Sequence, residues 1–227
     1  MADMESATEK NWLHMIWIPA LISLVVTLVR LSGELRHWSA RWFSSETGGT
    51  DPQGVSWIIG ITWLVVPFGV YFAMRLVWMG RGPRSAGKVA LCGVIGLALI
   101  FCARYLFVLF PGHFPVILIP LWLFWAAAAA LQYFAWPALF KTLLAYGLAA
   151  RVPVAIIMFL AMLGSWGTHY DYVGTPLQFS MPLIPRYFWL AFFPQLVAWV
   201  AFTITLGTFA GVIAVAIARP KAKGAQA

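Results

Sequence analysis

Long apolar blocks separated by short polar segments make up most of this chain of 227 residues. Each block has about 20 residues or more, enough for an α-helix to cross the ~30 Å hydrocarbon core of a bilayer. With 62% hydrophobic residues, the chain is expected to fold in lipid rather than in water. The blocks predict an all-α integral membrane protein, a single bundle of about six transmembrane helices. We place these helices at Trp12–Leu31, Val55–Met79, Val89–Phe110, Val116–Trp136, Leu139–Leu163 and Tyr187–Ala218.

The polar stretches of the chain are too short to form further domains, which leaves one membrane domain with a short tail at each end. The longest polar stretches, Ser32–Gly54 and Gly164–Arg186, are shorter than the ~50 residues of a typical independent domain. The sequence therefore divides into an N-terminal tail of residues 1–11, a transmembrane domain of residues 12–218 and a basic C-terminal tail of residues 219–227.

The positions of the cations predict the orientation of the bundle. All the lysines, together with Arg75, Arg81, Arg84 and Arg219, lie on the side of the N-terminus if six helices alternate in direction. Because Lys and Arg are enriched in cytoplasmic loops, this places both termini in the cytoplasm of a bacterial-type inner (plasma) membrane. The cations are scattered among short loops and form no continuous stripe. The net charge of +8 therefore does not indicate a nucleic-acid partner.

Arg151 is the residue that most clearly suggests a binding site. It falls near the middle of the fifth predicted helix, where a charge is costly unless it faces the interior and finds a partner. Gln195 and Trp199, one helical turn apart in the last helix, can line a pocket with it, and Arg104 lies in the outer half of the third helix. We predict Arg151, Gln195, Trp199 and Arg104 as ligand-binding residues. The alternative for Arg151 is a structural cation bonded to backbone carbonyls.

His169 and Asp171 are candidates for a site in the outer polar segment. Together with His37 and His113 they have side chains of the types that bind metal ions. No ligand spacing such as HxxxH supports a metal site, and we therefore predict none. We predict no catalytic residue and no cofactor, because the chain has no known catalytic motif and no Asp or Glu inside a predicted span.

Gly207 and Gly211 form a small-residue stripe on the last helix. Such a spacing lets another helix approach closely, either inside the bundle or in a homo- or hetero-oligomer. Prolines inside the predicted helices can bend them or expose carbonyls to a ligand: Pro19, Pro67, Pro120, Pro153 and Pro194.

These observations favour a non-enzymatic polytopic membrane protein. The expected role is to bind or move a small anionic or amphipathic ligand in an intramembrane cavity around Arg151, with the lipid bilayer as its surroundings. Two alternatives remain open. One is an accessory or scaffold subunit of a larger membrane complex, and the other is a membrane enzyme with an outer-face site at His169 and Asp171.

Overall fold

The protein is helical throughout the part of the chain that its computed structural model describes. This part covers residues 2–45, 55–110, 116–171 and 181–218, with side chains from His14 onward and without that of Trp57. The α-helices are α1 (Ala2–Leu35), α2 (Val65–Trp78), α3 (Ala86–Ala103), α4 (Tyr105–Leu109), α5 (Leu118–Ala135), α6 (Pro137–Gly164), α7 (Leu183–Tyr187) and α8 (Val200–Ala218).

Helical segments of membrane-spanning length dominate the fold. Within the described ranges, five helical segments are long and apolar enough to cross a bilayer. This confirms the predicted class, a helical membrane protein. The five segments are His14–Leu35, Ala86–Leu109, Leu118–Ala135, Pro137–Gly164 and Leu183–Ala218.

The second predicted helix is interrupted, which corrects the continuous span expected from Val55 to Met79. A 3₁₀ turn covers Ser56–Ile59, Gly60 is extended at φ −123° and ψ 162°, and α2 begins only at Val65. Pro67 is tolerated there because the first turn of a helix has no partner for its N–H groups. With 14 residues, α2 is about 21 Å long, shorter than the hydrocarbon core.

The first helix is longer than predicted. It continues past Leu31 to Leu35 and thereby carries Glu34 into a position where the residue is only 5% exposed. Glu34 thus lies in the last turn of a helical segment, His14–Leu35, that is long and apolar enough to cross a bilayer. The predicted end at Leu31 leaves this residue in a loop, because Ser32 and Gly33 are typical loop residues.

Two widened turns connect α7 to α8. The backbone forms π-helix over Phe188–Phe192 and Pro194–Trp199, so that Leu183–Ala218 is one continuous helical stretch. Pro194 cannot donate a backbone hydrogen bond, and a shift to the wider turn is one way for a helix to continue past such a residue.

Helix α8 lies at the centre of the bundle and packs against α2, α3, α5 and α6, while α1 packs on α6. Helices α2 and α8 approach each other closely, since a Cβ atom placed on Gly69 would lie 2.6 Å from the Cα atom of Gly207. Gly211 meets Ala73 in the same way. The small-residue stripe is thus used inside the chain, and α2 occupies the surface that an oligomer through Gly207 and Gly211 would need.

The connections between helices collect at two ends of the bundle. At one end, which we call the basic end, α2 is joined to α3 by residues 79–85 and α5 to α6 at Trp136–Pro137. At the other end, the cap end, residues Thr168–Asp171 follow α6 and contact the last turns of α1.

Candidate functional site

Arg151 lies midway along α6, whose 28 residues run from Pro137 to Gly164. The residue is 5% exposed, and it faces the interior of the bundle. Its two terminal nitrogens donate to Gln195 Oε1 at 3.3 Å and to Thr62 Oγ1 at 3.4 Å. The guanidinium carbon lies 4.7 Å from the centre of the Trp199 ring. Three of the four residues predicted for the site therefore meet in one place.

The backbone around Arg151 is irregular on two sides. Thr62 belongs to the non-helical segment between the 3₁₀ turn and α2, and Gln195 and Trp199 both lie in the second π turn. Pro153 follows Arg151 within α6 itself. Irregular backbone at membrane depth is tolerated where it is buried in protein or lines a polar cavity, and π turns are frequent at functional sites.

The charge of Arg151 is not balanced by a carboxylate in the described part of the chain. The ion pair found there joins Glu34 to Arg30 at the cap end, where the Glu34 carboxylate also lies against the His169 ring. Arg151 instead has two neutral oxygens and one aromatic face as partners. Gln195 itself donates its amide to Met158 Sδ at 3.4 Å, and this contact fixes the direction of its carbonyl oxygen.

Two residues change the predicted site. Arg104 is exposed where α3 meets α4, and none of its described hydrogen bonds involves Arg151. Thr62 is an additional member of the site that the sequence analysis does not select. In the helix predicted over Val55–Met79, nothing distinguishes Thr62 from the other residues of the span.

The outer candidates belong to a separate cluster at the cap end. Glu34 is its centre: its carboxylate accepts from Arg30 Nε at 2.9 Å and from the His169 backbone N–H at 2.8 Å. The His169 ring nitrogen Nδ1 lies 2.6 Å from Glu34 Oε1. Tyr170, 3% exposed, donates its hydroxyl to the Thr27 carbonyl. This cluster fastens the end of α1 to the segment after α6.

Asp171 has a local structural role. Its carboxylate accepts from the Gly167 and Thr168 backbone N–H groups and from the Thr168 hydroxyl, at 2.9, 2.6 and 2.8 Å. These bonds hold the carboxylate within its own turn after α6.

Burial changes the protonation behaviour of two cap residues. It lowers the pKa of the His169 imidazole below the ordinary value, and Arg30 acts in the same direction while the Glu34 carboxylate opposes it. Burial also raises the pKa of the Tyr170 hydroxyl. Both groups are therefore expected to be neutral near pH 7. Among the described residues, no three His, Cys, Asp or Glu side chains come close enough to hold a metal ion.

The sequence matches no protein-family model, and neither a curated protein nor a solved structure is similar to it.

Proposed function

We propose that this protein binds a small anionic amphiphile inside the membrane, with Arg151 as the anion-binding residue. The observation that supports the proposal is the buried guanidinium, whose described partners are all neutral. A carboxylate or phosphate would supply the counter-charge, and the surrounding apolar side chains would suit an alkyl chain. Binding is the step that a carrier and a receptor for such a ligand would share.

The lengths of the hydrogen bonds favour a ligand over a purely structural cation. Distances of 3.3 and 3.4 Å lie beyond the usual 2.7–3.2 Å range, whereas charge-assisted bonds to an anion shorten to about 2.7–2.9 Å. A guanidinium has five donor hydrogens, and the described contacts use two of them. An anion could therefore be bound without breaking a strong existing interaction.

The proposed setting is a bundle that crosses a bacterial-type inner membrane six times, with both termini in the cytoplasm. Helix α2 is too short to span alone, so its crossing would be completed by the irregular segment that carries Thr62. Such a discontinuous crossing is of the same kind as the broken helices that form ion and substrate sites in transporters.

A thermal-shift measurement with a matched pair of probes tests the proposal. Oleate and oleyl alcohol have the same chain and differ in charge at the head group. We expect oleate to raise the unfolding midpoint of the detergent-solubilised protein and oleyl alcohol to have little effect, because a ligand that binds only the folded state stabilises that state. In Arg151→Leu, oleate affinity should fall by at least about tenfold. This corresponds to the lower end of the free energy that a hydrogen bond to a charged group contributes. Arg151→Lys should retain part of it.

Arg104→Leu serves as the control, because it removes an exposed arginine from another helix. It should keep the full response to oleate. Equal responses to the two probes, or an undiminished oleate response in Arg151→Leu, would contradict the proposal. If Arg151→Leu does not fold while Arg151→Lys folds and ignores oleate, the structural role of Arg151 is the correct one.

The two alternative functions receive less support. The glycine stripe that a scaffold subunit could have offered is covered by α2. The carboxylates of Glu34 and Asp171 hold neighbouring backbone and side-chain groups at the cap end. These contacts support a role in fastening helices together rather than in an outer catalytic site.

A further inference from the structure

A cleft lined by cations opens at the basic end of the bundle. Its volume is about 450 Å³, and it lies between the connection from α2 to α3 and the join of α5 with α6. Four exposed cations line it, and none of the described lining residues is acidic. These cations are Arg81, Arg84, Lys88 and Lys141.

Two helices begin at this cleft and add to its positive potential. Ser85, the N-cap of α3, and Pro137, the first residue of α6, both line it. The first turn of a helix carries a partial positive charge, and its first N–H groups have no partner within the helix. Neither first turn contains an Asp or Glu that would neutralise this charge. Side chains and helix ends therefore both favour an anion.

A hydrogen bond holds the two walls of the cleft together. Trp136, 2% exposed, donates its indole N–H to the Arg81 carbonyl at 2.9 Å. Pro83, also buried, restricts the connection between α2 and α3 further. The cationic side chains thus project from a backbone framework whose two parts are linked.

The rim of the cleft is apolar on the side of α5. Phe134, which lines it, is 69% exposed and lies in the last turn of that helix. A free phosphate ion would not contact such a side chain, but an acyl chain would. Basic pockets between transmembrane helices are typical binding sites for the head groups of anionic lipids.

We propose that this cleft binds the phosphate-bearing head group of an anionic membrane lipid, with the acyl chains against Phe134. The site goes beyond the proposed function, because it shares no residue with Arg151 and its partners. Its ligand would be a lipid of the surrounding bilayer.

The test compares phosphatidylglycerol with phosphatidylcholine in mixed micelles with the full-length protein. We expect phosphatidylglycerol to raise the unfolding midpoint and phosphatidylcholine to leave it unchanged. Each cation near a lipid surface contributes about a five-fold change in affinity. The double variant Arg84→Gln/Lys141→Gln should therefore bind phosphatidylglycerol about 25-fold more weakly.

Two further variants show whether the cleft itself is responsible. Arg75→Gln removes an exposed cation from the last turn of α2, at the same end but outside the cleft, and should keep the response. Arg84→Lys/Lys141→Arg retains both charges and should respond like the parent. An equal loss in Arg75→Gln and in the double variant would mean general surface electrostatics and would overturn the proposal. Equal effects of the two lipids would do the same.

Inorganic phosphate separates the lipid from a soluble anion. If phosphate alone stabilises the parent as much as phosphatidylglycerol does, and the double variant loses both effects, the lipid assignment is wrong. Arg151→Lys, which leaves the cleft intact, should respond to phosphatidylglycerol like the parent whatever it does with oleate. The two proposals can therefore fail independently.

Discussion

Arg151 has partners that are sufficient to hold it but weak for a buried charge. Placing an arginine at the centre of a membrane helix costs about 2.5–3.5 kcal/mol on insertion scales. A desolvated cation–π contact such as that with Trp199 contributes about 2 kcal/mol, and the two long hydrogen bonds add to it. The cost and the gain are of similar size. The site can therefore exist without a ligand, yet an anion would improve it.

A double-mutant cycle measures how strongly Arg151 depends on Gln195. Gln195→Leu should destabilise the protein by about 1–3 kcal/mol, because it leaves a buried donor without its acceptor. In the background of Arg151→Leu the same change should cost less, with a coupling of about 0.5–3 kcal/mol. The free energy of unfolding of the four proteins gives this coupling.

Gln132 provides the matched control for that cycle. It is fully buried, but its amide donates to the Cys92 and Ala128 carbonyls and shares no described partner with Arg151. Gln132→Leu and Arg151→Leu should be additive within about 0.5 kcal/mol. Additivity of Arg151→Leu with Gln195→Leu as well would contradict the described contact.

His169 makes the cap sensitive to acid. Because the folded protein lowers the pKa of its imidazole, the unfolded chain takes up a proton first as the pH falls through about 6.5. The contribution of His169 to stability should therefore decrease between about pH 7.5 and pH 5.5. Unfolding midpoints over this interval test the sign, and His169→Gln should flatten the dependence. A parent protein whose His169-dependent stability increases in acid would show that the Glu34 ion pair outweighs burial.

At the scale of elements, a backbone contact between two helices holds the centre of the bundle together. Gly69 of α2 and Gly207 of α8 leave no room for side chains between them. The same contact explains why α2 is stable at its position although it has only 14 residues. Close approach of this kind lets dispersion forces act over a long contact without any polar bond.

Gly69→Ala tests that contact. A Cβ atom there would lie 2.6 Å from Gly207, so the helices must separate, and overpacking of this kind costs about 1–3 kcal/mol. Gly87→Ala is the control, since the nearest atom to its added Cβ lies 4.0 Å away and alanine favours a helix. Chemical unfolding in detergent should show the first variant destabilised and the second unchanged or slightly stabilised. Equal stability of both would contradict the close approach.

Elements could be predicted from the sequence where hydrophobic length alone decides them. The third, fourth, fifth and last spans are placed close to their predicted bounds, because each is a long apolar block. The interruption before α2 could not be predicted, since Gly60–Leu64 is as apolar as the helix that follows. The extension of α1 could have been found from the spacing of Ser23, Thr27 and Glu34, which form one polar face towards α6 and the cap.

The site could be predicted only in part. Arg151 is identified by its charge in an apolar block, and Gln195 and Trp199 by their spacing in the last predicted helix. Arg104 was included for its charge alone, and it lies exposed elsewhere. The role of Thr62 is visible only in the folded structure, because nothing in the sequence indicates that Thr62 and Arg151 are in contact.

At the scale of the whole molecule, the two ends of the bundle differ in chemistry. The basic end has four cations around one cleft, whereas the cap end has an acidic residue bonded to Arg30 and His169. Such asymmetry between ends is typical of membrane proteins whose basic end faces the cytoplasm.

Reporter fusions test the orientation and the number of crossings. Fusions after Gly82 and after Lys223 should report the cytoplasm, and fusions within Thr47–Asp51 and near Gly174 should report the outside. The Gly82 fusion is decisive for α2, because a short helix that fails to cross would place it on the side of Thr47. An external signal there contradicts the six-crossing topology.

Contact between Arg151 and an anionic head group is the central claim, and solid-state NMR can measure it directly. The protein, labelled with ¹⁵N on arginine, is reconstituted in bilayers with oleate labelled with ¹³C at the carboxyl carbon. We expect dephasing that corresponds to a carbon–nitrogen distance of about 4 Å or less, since charge-assisted hydrogen bonds bring the two groups together. This signal should persist in Arg104→Leu and disappear in Arg151→Leu. A signal of equal strength in Arg151→Leu, or none in the parent at saturating oleate, would contradict the claim.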